Sequence, residues 1–137
     1  MTELLIDSDV ILDLHFDRMP FSQDSDKLFS LIEMNKLKGF VTSVIVANVY
    51  YMIRKYSSHK NAIDKLDKLL SIMEVIAVDK RILLNAIDSN FTDFEDAIQN
   101  FSAVNSKSIE VIITRNIRDY RQSELSVMTP ELFLKSF

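Results

Sequence analysis

At 137 residues and 47% hydrophobic content, the chain has the length of one domain and enough apolar material for a sizeable core. With no cysteine it forms neither disulfides nor thiolate metal sites, and His15 and His59 lack ligand-like spacing, so a bound metal must be held by oxygen. A net charge of -4 argues against a general nucleic-acid binder, and the single glycine, Gly39, leaves no room for a glycine-rich phosphate loop of the Rossmann or P-loop kind.

Leu4-Leu5-Ile6 is an apolar run without alternation, the pattern of a strand buried on both faces of a parallel sheet. It leads straight into Asp7-Ser8-Asp9. Ligands of such sheets bind beyond the carboxyl ends of the strands, which makes Asp7 the first candidate site residue. Val10 to Phe16 reads as a short helix with Asp9 as its cap. After the break at Arg18-Met19-Pro20-Phe21, a second helix is expected from Ser22 to about Asn35, with Leu28, Phe29, Leu31 and Ile32 on its apolar stripe. Phe40-Val41-Thr42 is a short strand. Ser43 is placed as the cap of a helix from Val44 to Ile53, apolar on every face and so expected to be buried nearly all round. Asn48 is the one strongly polar residue in it, and a buried amide needs partners, whether in a neighbouring loop or in a site.

Arg54 to Lys60 is a basic turn. Ala62 to Ile72 has the amphipathic period of a helix, with Ile63, Leu66, Leu69 and Leu70 expected inside and lysines outside. Glu74 to Val78 reads as a strand, and Asp79 as the cap of a helix from Arg81 to Asp88. A long helix is expected from Phe91 to Ser106, with Thr92 and Glu95 forming a capping box. Phe94, Ala97, Ile98, Phe101 and Val104 form its apolar stripe, while Asp93, Asp96 and Asn100 share another face. Ile109 to Ile113 is a further buried strand, followed by the polar loop Thr114 to Tyr120. Val127 to Thr129 adds a short strand, and Pro130 opens a terminal helix at its favoured first position. Strands alternate with helices throughout one domain, residues 1–137, which is the pattern of a parallel α/β sheet covered on both faces. No apolar run reaches the ~18 residues that cross a bilayer, and Thr2-Glu3 is unlike a signal peptide, so the expected location is cytoplasmic, without a membrane.

Three groups of acids thereby share one end of the sheet. Asp7 and Asp9 follow the first strand, Asp119 follows the strand Ile109 to Ile113, and Asp96 lies early in the helix leading into that strand. Carboxylates gathered in one cleft raise each other's pKa, and a divalent cation removes that penalty. Magnesium or manganese suits such ligands, and the chemistry implied is metal-assisted hydrolysis of a phosphodiester. Each member has a structural role open to it as well. Asp93 and Glu95 also suit the helix dipole, Asp9 also suits a cap, and Arg115, Arg118 and Arg121 are either phosphate contacts or a solvated loop.

Leu5-Ile6-Asp7-Ser8-Asp9-Val10-Ile11-Leu12-Asp13 resembles the opening motif of PIN domains. Asp93-Phe94-Glu95-Asp96-Ala97-Ile98-Gln99 resembles their third block, Ile112 to Tyr120 their fourth, and Thr129-Pro130-Glu131-Leu132-Phe133 their usual ending. The resemblance implies a three-layer α/β/α sandwich around a mostly parallel sheet of four to five strands. It also implies a Mg- or Mn-dependent ribonuclease, often the toxin of a bacterial toxin–antitoxin pair resembling VapC, typically a homodimer neutralised by a small antitoxin protein. By position, Asp7, Asp96 and Asp119 match the family's acids. Thr114 and Asn116 match polar residues lining the site, with Asp9 and Asp93 as auxiliaries and Arg115 and Arg118 toward the RNA. One position departs: the family usually carries glutamate where this chain has Asn48, which fits a site position but brings no negative charge and no base. A PIN-fold module that binds RNA or a protein partner without cleaving is therefore the alternative. Asp7-Ser8-Asp9-Val10 also resembles the opening of haloacid-dehalogenase-like phosphatases, but the glycine usual after that pair is absent and no later lysine is suitably placed.

Overall fold

A computed structural model describes residues 1–137. Its five strands are β1 (Glu3–Ile6), β2 (Lys38–Thr42), β3 (Glu74–Ile76), β4 (Val111–Ile113) and β5 (Ser126–Met128), in the order β3-β2-β1-β4-β5. Every pairing is parallel; Leu5 lies in register with Phe40 on one side and Ile112 on the other. Seven helices flank the sheet: α1 (Ser8–His15), α2 (Phe21–Glu33), α3 (Ser43–Tyr56), α4 (His59–Ile72), α5 (Lys80–Ile87), α6 (Phe94–Ser106) and α7 (Pro130–Ser136). The chain thus has the α/β architecture expected from its sequence. No helix is long and apolar enough to cross a membrane.

β1 sits at the centre, and Leu4, Leu5 and Ile6 are fully buried, as a strand covered on both faces requires. The chain leaves β1 toward β2 and β3 on one side, then returns to place β4 and β5 on the other. The crevice created where the strand order reverses lies beyond the carboxyl end of β1. There the Asp7 amide donates to the Ile113 carbonyl at 2.9 Å, pinning the exit of β1 to β4. Gly39, in β2, is needed for close approach: a Cβ there would lie 2.6 Å from Met73 Sδ and 2.8 Å from Ile32 Cδ1.

Several local expectations shift. Asp7, not Asp9, caps α1, and Thr42, not Ser43, caps α3 by accepting from the Ile45 amide at 3.1 Å. In each case the residue at the exit of the strand is still extended and points its oxygen at the first turn, so the cap falls before the expected one. α3 is buried along Ile45, Val49 and Ile53 only, one stripe at a four-residue spacing, while Tyr51 is 67% exposed. α4 turns its stripe by one position: Ala62 and Leu69 are buried, whereas Ile63 and Leu70 are exposed. α6 starts at Phe94 rather than Phe91, because Phe91 leaves the helix to pack against Phe101 and Tyr120. Its cap is Asp93 rather than Thr92, accepting from the Asp96 amide at 2.9 Å. Phe94 is half exposed, and the buried face instead includes Gln99, Asn100 and Ser102. The basic segment from Arg54 to Lys60 is divided between the ends of α3 and α4, with Ser58 capping the latter.

Candidate active site

Asp7 leaves β1 with its carboxyl group almost wholly buried. Oδ1 accepts from the Ser8 amide at 2.8 Å, and Oδ2 accepts from the Thr114 hydroxyl at 3.1 Å and the Tyr120 hydroxyl at 3.0 Å. Burial nevertheless dominates and raises its pKa above the ordinary carboxylate value, with the charge of Asp93 adding to the effect. In the first turn of α1, Asp9 is pushed up to about 6, first by burial and then by Asp7. Its Oδ2 accepts from the Thr114 hydroxyl, the Arg115 amide at 3.1 Å and the Asn116 side-chain amide at 3.3 Å, while its buried Oδ1 has no partner. Thr114 lies between the two carboxylates with a single proton to give, so one of them goes without it at any moment.

Asp96 enters the same space from the first turn of α6. Its pKa rises to about 7, through burial and then repulsion from Asp7, Asp93 and Asp119. Tyr120 is buried with its hydroxyl against this negative field, which raises its own pKa and keeps it a phenol that donates. Together these elements enclose a cleft of ≈ 190 Å³ without a single apolar lining residue. Asp7, Asp9, Asn48, Asp93, Asp96, Asn116 and Asp119 all line it, drawn from the ends of β1 and β4 and from α3 and α6. Glu95, Ser8 and Gln99 line it too. Asn48 is not isolated: its Nδ2 donates to Glu95 Oε2 at 2.9 Å.

The two arginines expected at the RNA are placed differently. The Arg115 guanidinium grips the fully buried Asp13, with Nε 2.5 Å from Oδ2 and Nη2 2.9 Å from Oδ1, and stacks on Phe21 at 4.1 Å. Its charge is therefore committed outside the cleft, and only its backbone amide reaches the site, through Asp9. Arg118 is exposed and does not line the cleft.

Sequence reasoning did not single out Tyr120 or Asp13, and it weighed Glu95 only as a capping or dipole acid. Asp13 did carry a signal, a carboxylate inside the apolar helical run Val10 to Leu14. Tyr120 carried none, since an aromatic residue after a loop reads equally well as core.

A PIN domain family model matches residues 3–118. The chain belongs to the PIN domain family. It is 27% identical over 136 residues to Ribonuclease VapC1 of Aquifex aeolicus (strain VF5), covering 96% of this chain and 92% of that protein. Among solved structures, it resembles DNA-bound VapBC from Salmonella typhimurium with a TM-score of 0.69 at 13% identity, covering 95% and 99% of the two chains. A toxin–antitoxin complex from Klebsiella pneumoniae matches with a TM-score of 0.68 at 19% identity, covering 93% and 97%. These likenesses bear on fold; the VapC-like PIN architecture of the chain is common to all of them.

Proposed function

We propose that this PIN domain is a divalent-metal-dependent endoribonuclease, the toxin of a bacterial toxin–antitoxin pair. The observation that carries the reading is the all-polar cleft at the end of β1, which Asp7, Asp96 and Asp119 line from separate parts of the chain. The likeness to Ribonuclease VapC1 supports RNA as the substrate, and the likeness to toxin–antitoxin complexes supports a protein antitoxin as partner. A homodimer and a cytoplasmic location belong to the same proposal, and light scattering after size exclusion tests the dimer.

The donor set fits a hard cation. Every lining group offers oxygen or an amide, Asp9 Oδ1 is buried without a partner, and Asp7 repels the charge of both Asp9 and Asp96. No three of the acids converge on one point, so Asp7, Asp96 and Asp119 would hold Mg or Mn partly through water, as magnesium prefers. Such an ion supplies an activated water and stabilises charge on a phosphoryl oxygen. The chain's own residues set the stage for it. Tyr120 and Thr114 fix the Asp7 carboxylate, Asp93 fixes the start of α6 beneath Asp96, and Asn116 steadies Asp9.

A second reading, a module that binds RNA or a protein without cleaving, rests on Asn48, which cannot act as a base. A cleavage assay on single-stranded RNA with Mn²⁺ separates the two. Cleavage by wild type but not by Asp7→Asn supports the nuclease. Cleavage by Asn48→Glu alone supports the disabled module, and no cleavage by any well-folded variant overturns the nuclease reading.

A further inference from the structure

We infer that Glu95 supplies the carboxylate that position 48 lacks, with Asn48 as the residue that positions it; the inference rests on the metal-dependent reading of the cleft above. The two side chains come from α3 and from the first turn of α6, 47 positions apart, and meet through the 2.9 Å bond from Nδ2 to Oε2. Because a carboxylate only accepts, the contact fixes the amide: its nitrogen faces Glu95 and its oxygen is left over. The same bond engages one oxygen of Glu95 and leaves the other free. Both residues line the cleft that holds Asp7, Asp96 and Asp119.

An acid in the first turn of a helix needs no explanation beyond the dipole. The dipole does not, however, account for Glu95 lying on Asn48 across the mouth of an acidic cleft. A glutamate at position 48 would set two carboxylates a hydrogen bond apart, and they would repel. Asparagine turns that repulsion into attraction and keeps one carboxylate at this contact, carried by α6 rather than by α3. The leftover amide oxygen of Asn48 is itself a ligand type that hard cations accept. The substitution and the neighbouring glutamate thus form one unit, and the amide does not signal a dead site.

Calorimetric titration of the full chain with Mn²⁺ alone, in otherwise metal-free buffer, tests this without reference to activity. Glu95→Gln should weaken Mn²⁺ binding about 10–100-fold, the range found when a ligand or its supporting partner is lost. Glu124→Gln, an exposed acid outside the cleft, should leave binding unchanged. The exchange Asn48→Glu with Glu95→Gln should return binding to near the wild-type value. Melting curves without metal establish that each variant is folded. Mn²⁺ binding that survives Glu95→Gln but is lost in Asp7→Asn overturns the role of Glu95 and leaves the metal site standing. A folded exchange variant that stays as weak as Glu95→Gln overturns the pairing. Absence of Mn²⁺ binding by the wild-type chain overturns both the pairing and the metal site.

Discussion

The Tyr120 hydroxyl joins the Thr114 hydroxyl in donating to Asp7 Oδ2 from the segment after β4, and it cannot be replaced by solvent in a buried position. Tyr120→Phe should reduce stability by ~1 kcal/mol, the net value of one hydrogen bond, measured by urea unfolding. It should also weaken Mn²⁺ binding, since Asp7 is then both less charged and less well oriented. The raised carboxyls give a second prediction with a definite sign. Asp9 and Asp96 titrate near 6 and near 7 in the folded chain but near 3.8 when unfolded. The folded state therefore holds their protons more tightly, and its advantage is full below about pH 4 and lost as pH rises to about 7. In metal-free buffer, Asp96→Asn should melt above wild type at pH 7.5, with the gap closing toward pH 4. At this scale the acids were legible because Asp7 ends an apolar run, Asp119 lies in the polar loop after another, and Asp96 lies early in the helix before it. Tyr120 and the Asn48–Glu95 contact were not, because both depend on which helix face turns toward which loop.

Among the elements, the loop from Thr114 to Tyr120 is held by the Arg115–Asp13 pair, which lies outside the acidic cleft. Removing the guanidinium in Arg115→Ala leaves Asp13 buried beside only a 3.5 Å contact from Arg18, and should cost about 3 kcal/mol, at the lower end for a broken buried pair. Arg115→Lys should recover little, since an ammonium cannot match the two-pronged contact or the stacking on Phe21. Thermal melting checks both. Gly39→Ala should cost about 1 kcal/mol, the mild end of overpacking, because the obstructing atoms are the ends of the Met73 and Ile32 side chains. The central strand was readable because full burial on both faces leaves no alternation in the residues. The stripes of α3, α4 and α6 were less so. In α3 nearly every residue is apolar, so periodicity cannot choose among faces, and the four-residue stripe of Ile45, Val49 and Ile53 emerges only from packing. In α4 it is the small Ala62 that faces inward, where the larger Ile63 was expected.

Across the whole molecule, a net charge of -4 and an acidic cleft oppose an anionic polymer. On the proposed reading, affinity for RNA should therefore rise with Mn²⁺ and fall on adding EDTA. Fluorescence anisotropy with a labelled single-stranded oligonucleotide, on the Asp7→Asn background and on wild type, would show how much of that affinity passes through the metal. The overall α/β architecture was legible from the alternation of strands and helices, whereas the lengths of β3 and β4 were set by which backbone groups find a neighbour. The position of β1 has one more consequence. Its two flanking strands are made at very different times: β2 is the next strand after β1, whereas β4 and the loop to Tyr120 follow only after β3 and four further helices. During synthesis, Asp7 and Asp9 emerge well before Thr114, Asp119 and Tyr120, which complete their surroundings. A growing or prematurely ended chain thus carries only half of the cleft, and on the proposed reading it is harmless to the messenger from which it is being translated.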